Sequence, residues 1–195
     1  MRLEQLHEQS LTDEQRALFE AIVANRGGAD HRSRQMVGPD GAIRGPFNHM
    51  LLAPAIGGPL QELGGVLRSR GTLDDLAREI VILMTARAGR SEFEWWAHVP
   101  IAQAVGLTDA QLSTLLDGGV PHVDDAVRRA VIEAAHALLV RGDLDDEEYA
   151  RAASALGPTT LIELTALVGY YAMGALQMRV FRVEPPDAEP RAFSA

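Results

Sequence analysis

The apolar residues of this chain recur at spacings of three and four, and clusters of capping and breaking residues cut that pattern into separate helices. Thr12-Asp-Glu-Gln15 is a capping box that opens a short amphipathic helix through about Asn25, closed by Gly27-Gly28. Residues 26–48 hold Gly38-Pro-Asp-Gly41 and Gly45-Pro46, breakers too dense for a helix, and predict an irregular arm. Pro54 to Arg70 predicts a helix carrying Ile56, Leu60, Leu63, Val66 and Leu67 at helical spacing. Thr72, three residues ahead of Asp75, predicts the start of the next helix, apolar nearly all round from Arg78 to Ala88 and ending at Gly89. Its successor runs from Ser91 toward Gly106, with Pro100 expected to kink it just after His98.

Thr108-Asp-Ala-Gln111 is a second capping box, and the short helix after it stops at Gly118-Gly119. Asp124 or Asp125 opens a helix to about Arg141, with Val127, Ala130, Val131, Ala134, Ala135 and Leu138 inward. Asp145-Asp-Glu-Glu148 opens another, ending at Gly157-Pro158, and Thr159 or Thr160 caps the last, from Leu161 to about Val180. No stretch alternates β-branched residues between turns, so the fold class is all-α.

The length of 195 residues predicts one domain spanning 1–195. Residues 1–48 form its N-terminal helix and irregular arm, and the proline-rich end, 184–195, forms an extended tail over the surface or a neighbouring subunit. A net charge of −9 argues against a nucleic-acid partner, because phosphate neutralisation needs clustered Lys and Arg. No apolar run reaches the ~18 residues of a membrane span. Met1 to His7 has no apolar signal core, so the expectation is a cytoplasmic protein without a membrane partner. There is no cysteine, which removes disulfides, thiolate nucleophiles and thiolate metal sites.

The chemistry concentrates between Leu73 and Gly106. Glu79 is a carboxylate inside a helix that should be buried on most of its surface. On the next helix Ser91, Glu94 and His98 fall at i, i+3 and i+7, one face, flanked by Trp95 and Trp96. Two acids and an imidazole are equipment for moving protons. By position alone Glu79 is more simply a helix-start acid, and His98 an ordinary histidine on an apolar face. With Glu94 one turn earlier, the imidazole has a partner to fix its tautomer. Ser91 fits a helix cap better than a nucleophile, since His98 lies nearly two turns away. Three ligands for a metal are present in Glu79, Glu94 and His98, but neither His-x-x-x-His nor Glu-x-x-His occurs among them, so no metal is expected. Trp95, Asn48, His49, Tyr170 and Tyr171 join Ser91 as residues able to line a substrate pocket, although such aromatics are most often core or subunit contacts.

Glu79, the apolar helix after it, and Ser91-Glu-Phe-Glu-Trp-Trp-Ala-His98 leading into Ile101-Ala-Gln-Ala-Val-Gly106 resemble the carboxymuconolactone decarboxylase family, which includes the alkylhydroperoxidase D-like proteins. The likeness extends to Gly45-Pro-Phe47 and to Leu167-Val-Gly-Tyr-Tyr171. In the peroxidase branch a Glu is followed twelve residues on by Cys-x-x-Cys-x-x-x-His. That pattern falls on Glu79, Ser91, Glu94 and His98, so Glu and His are kept and both cysteines are replaced. Thiol peroxidase chemistry is thereby excluded, because no other side chain cycles with a disulfide. The resemblance implies an alkylhydroperoxidase D-like helical domain, assembled as a trimer or a hexamer of trimers. It also implies acid–base chemistry on small oxygenated acids and lactones without a metal or other cofactor.

The expectation is an enzyme acting on a small-molecule substrate, a keto acid or lactone, by decarboxylation, isomerisation or hydration. Glu79 and His98 would exchange protons with it across a pocket, and Glu94 would orient His98. The alternative is a non-catalytic family member that binds a small ligand or serves as an assembly unit.

Overall fold

The computed structural model describes residues 1–25, 36–185 and 191–193. The expected closure at Gly27-Gly28, the first part of the arm and most of the proline-rich tail lie outside the described residues. Among those described there are eight α-helices and a single-turn 3-10 helix, Glu8–Ser10. The helices are α1 Asp13–Asn25, α2 Gly45–Leu52, α3 Pro54–Ser69, α4 Asp75–Gly89, α5 Glu92–Ala104, α6 Asp109–Leu116, α7 Ala126–Arg141 and α8 Asp146–Phe181. Extended pairing among the described residues is confined to two isolated bridges, His7 with Ala42 and Val37 with Ile43. The chain forms two compact units, Met1–Arg70 with Gln177–Glu189, and Gly71–Leu176 with Pro190–Ala195.

In the first unit α1, α2 and α3 surround a core that includes Phe19, Ile22, Met36, Ile43, Phe47 and Leu51. The Thr12 box forms as expected: Thr12 N–H donates to Gln15 Oε1 at 3.0 Å and Gln15 N–H to Thr12 Oγ1 at 3.3 Å. The arm ends earlier than its breakers suggested. Pro46 sits in the first turn of α2, where a missing N–H costs nothing, so Gly45-Pro46 starts a helix. Asn48 and His49 are therefore buried on α2 and not at the end of a loop.

Helix α3 turns a different face inward from the one its apolar stripe predicts. Ile56, Leu63 and Val66 are 60%, 43% and 39% exposed, while Gly57, Gln61, Gly64 and Leu67 are buried. The cause is proximity. A Cβ on Gly57 would overlap the Met50 backbone carbonyl, so α3 meets the end of α2 closer than any side chain allows. Gly57→Ala must push the two helices apart, with a cost of about 1–3 kcal/mol expected for overpacking. Thermal or urea unfolding of that variant should show it, and an unchanged midpoint would mean the contact yields freely.

The second unit is built on α4, whose residues Glu79 to Ala86 are all buried as it packs against α5, α6 and α7. Its cap is Asp74, which accepts from Leu76 N–H and Ala77 N–H. Thr72, the expected cap, is engaged elsewhere: its hydroxyl donates to Glu163 Oε2 at 2.7 Å and lies 2.7 Å from Thr160 Oγ1. After Gly89 the left-handed position falls on Arg90, φ 51°. Gly89 itself is required by packing, since a Cβ there would lie 2.5 Å from that of Ala175.

Thr108 with Gln111 and Asp145 with Glu148 form capping boxes, and Asp125 caps α7. Helix α5 passes through Pro100 without interruption. Val127 on α7, expected inward, is 52% exposed, and Ile132 is buried in its place. The break near Gly157-Pro158 is present as a non-helical Gly157 (φ 73°, ψ 167°) within α8. The helix resumes at once, so Thr159 and Thr160 lie inside it and cap nothing.

Candidate active site

The turn Arg90-Ser91 folds α5 back against α4, setting the first turns of one helix beside the later turns of the other. Glu79 and His98 meet across that contact. Glu79 Oε2 lies 2.7 Å from His98 Nδ1, with the two side chains only 3% and 13% exposed. Direct contact replaces the pocket expected between them, because α4 and α5 are too close for a gap. A carboxylate oxygen only accepts, so His98 Nδ1 is the donor in this contact and Nε2 is the ring nitrogen left free of Glu79. The other Glu79 oxygen lies 3.7 Å from Arg78 Nε, and Arg78 also pairs with Asp75 at 2.8 Å. Glu79 thus sits between a cation and an imidazole. The His98 ring packs edge-on against Tyr171, centroids 5.3 Å apart at 87°, and Tyr170 stands edge-on to Tyr171.

Glu94 does not orient His98. Its hydrogen bond is with Ser91, and its other oxygen, buried, has no partner. Burial pushes the Glu94 carboxyl up to about 8, with the Ser91 bond opposing in part. One turn of a helix brings the Glu94 and His98 side chains near each other, but the facing helix already supplies the Glu79 carboxylate to the imidazole. Ser91 occupies the N-cap of α5 without making the cap bond and is buried beside Glu94.

Trp95 is a core residue, packed with Ile80 and Leu83 on one side and edge-on to Phe193 at 5.3 Å on the other. Phe193 comes from the tail, which returns to this unit: Glu92 accepts the backbone N–H groups of Ala192 and Phe193 at 3.0 and 2.9 Å. Nothing in the tail's composition signals that contact. Arg78 beside Glu79 was legible as the neighbouring residue but carried no separate motif.

Asn48 and His49 belong to the first unit. Asn48 is an architectural side chain, its Oδ1 accepting from Leu6 N–H at 2.9 Å and its Nδ2 donating to Glu4 O at 2.9 Å. His49 is buried with neither ring nitrogen hydrogen-bonded. Among the described residues no three His, Cys, Asp or Glu side chains are grouped to hold a metal ion.

Residues 54–137 match the carboxymuconolactone decarboxylase family. Among solved structures the chain is similar to a protein of unknown function from Agrobacterium tumefaciens, presented as a candidate antioxidant defence protein AhpD. The TM-score is 0.61 at 15% identity, over 72% of this chain and 97% of that one, a likeness of fold. Comparison with curated proteins returns no match.

Proposed function

We propose, from the match of residues 54–137 to the carboxymuconolactone decarboxylase family, that the chain is a member of that family and a cofactor-independent enzyme doing acid–base chemistry on a small keto acid or lactone. The observation that carries this is the buried 2.7 Å contact of His98 with Glu79. Glu79 holds the ring in one tautomer, and His98 Nε2 is the base that takes a proton from carbon beside a carbonyl. The C–H electron pair becomes the double bond of an enol, and the carbonyl oxygen receives a proton from an acid. Glu94 suits that second role, since a carboxyl raised to about 8 keeps its proton at neutral pH. A base and an acid on one helix are the pair that decarboxylation, isomerisation and hydration can share. With no cysteine in the chain, the thiol peroxidase chemistry of relatives has no residue to run on.

Exchange of carbon-bound protons for deuterium tests the proposal with simple probe compounds. Wild-type protein in D2O should speed exchange next to the carbonyl in one of a set such as pyruvate, levulinate and γ-butyrolactone. The absence of exchange across a broad set of keto acids and lactones would favour the non-catalytic alternative.

The enzyme is also proposed to work in the cytoplasm as a homo-oligomer, a trimer or hexamer. Helix α4 is covered by α5, α6 and α7, whereas α8 leaves Ile162 and Leu176 69% and 59% exposed. Light scattering at micromolar concentration should give a mass well above 21.1 kDa, and a monomer would overturn the assembly. By length and composition alone α8 is apolar enough to cross a membrane. Its buried residues Leu164, Leu167, Tyr171 and Ala175 nevertheless lie along one stripe, the pattern of a helix packed on one side.

A further inference from the structure

The first unit contains a half-open cavity of about 250 Å³ where α2 meets α3 and the last turn of α8. Its walls are Leu3, Met50, Leu52, Ile56, Leu60 and Phe181, and its polar groups are the side chains of His49 and Gln177. Among the described residues no Asp, Glu, Lys or Arg lines it. His49 is only 8% exposed, its ring tilted against Phe181 at 6.1 Å, and neither buried nitrogen meets a partner at hydrogen-bond distance and angle, the Gln177 side chain coming near enough only to favour the charged ring in part. A buried donor and acceptor with nothing to bond are costly to keep and call for an explanation. Burial also lowers the His49 pKa to about 4, the Gln177 amide opposing in part, so the ring is neutral at physiological pH.

We propose that this cavity is a binding site for a small neutral alcohol or phenol, its body among the apolar walls and its hydroxyl hydrogen-bonded to one ring nitrogen of His49. The chemistry follows from the lining. A neutral imidazole has a donor at one ring nitrogen and an acceptor at the other, and a hydroxyl, able to donate or accept, can pair with whichever nitrogen faces the cavity. An anion finds no cation here and an ammonium finds no carboxylate. An apolar cavity of roughly 150 Å³ admits benzene, so 250 Å³ has room for a substituted ring. Gly57 sets the geometry, since the close approach of α3 to Met50 that it permits places Ile56 and Leu60 beside His49.

The test is titration of the full-length protein with p-cresol and with toluene, which has the same ring and methyl group without the hydroxyl. Calorimetry gives the affinities, and the ¹⁵N-labelled histidine ring signals report whether His49 is engaged. Wild-type protein should bind p-cresol roughly tenfold more tightly than toluene, the worth of about one net hydrogen bond. Binding should shift the His49 ring nitrogens. His49→Phe should erase the preference, and His49→Asn, which keeps a donor and an acceptor, should retain part of it. Equal affinities in the wild type, a preference unchanged in His49→Phe, or p-cresol up to its solubility with no shift at His49 would each overturn the proposal. None of these outcomes depends on catalysis at Glu79 and His98.

Discussion

His98→Gln is expected to lower turnover by a factor of ~10²–10⁴, the usual worth of a general acid or base. Gln keeps the bulk and one hydrogen bond to Glu79 but offers no ring nitrogen to take a proton from the substrate. The loss should appear in kcat more than in KM, because the interaction removed exists only while a proton moves. Glu79→Gln is expected to cost nearly as much by another route. Its carboxylate accepts from Nδ1 at 2.7 Å; an amide can present its NH2 instead and turn the ring to the tautomer with Nε2 protonated. That tautomer has no lone pair where the base is needed. Since Glu79 acts through His98, its replacement should change the pH profile of kcat as well as its height. A loss of melting temperature with full turnover in both variants would make the pair structural.

Glu94→Gln should make the protein more stable at neutral pH while slowing it. The folded-state pKa of Glu94, about 8, lies above its ordinary value of 4.5. Between those values the folded chain holds a proton that the unfolded chain has released, so stability falls as pH rises through the window. The slope is at most ~1.4 kcal/mol per pH unit. His49 acts oppositely: its pKa is lowered from 6.5 to about 4, so its burial costs stability as pH falls through that range. Above pH 6.5 the unfolded imidazole is less than half protonated and its opposing contribution fades, so comparison with Glu94→Gln over the interval from there to 8 assigns the remaining slope to Glu94. Urea unfolding across it should show a declining midpoint in the wild type and a flatter one in Glu94→Gln. Equal slopes would place the proton elsewhere. Turnover of the wild type should likewise fall above about pH 8, where Glu94 loses the proton it is proposed to give.

What the sequence revealed follows the range of the interactions concerned. The capping boxes at Thr12 and Thr108 are closed within four residues and form as read, and Asp145 opens its helix as read. Thr72 had the same local signature and failed, because Glu163, 91 positions away, takes its hydroxyl and leaves the cap to Asp74. The apolar stripe of α3 misled for a related reason. Burial there follows how closely another backbone approaches, and glycines permit an approach that larger apolar residues forbid.

The site divides in the same way. Spacing could place Ser91 and Glu94 together on α5, and a hydrogen bond joins them. Which acid reaches His98 was a matter of how two helices face each other, and that is not written in the spacing along either one. The resemblance singled out Glu79 and His98 as a pair; the distance between them comes from the packing of α4 on α5. His49 was legible as a histidine entering an apolar stretch, but the cavity beside it depends on Gln177 and Phe181, more than a hundred residues further along the chain.

The most direct measurement is deuterium exchange next to the carbonyl of small keto acids and lactones, followed by NMR for wild-type protein and His98→Gln side by side. The wild type should accelerate exchange on at least one of them, and His98→Gln, folded and of the same assembly, should lose that acceleration by ~10²-fold or more. Equal exchange by the two proteins would contradict the assignment of His98 as the base that moves the proton.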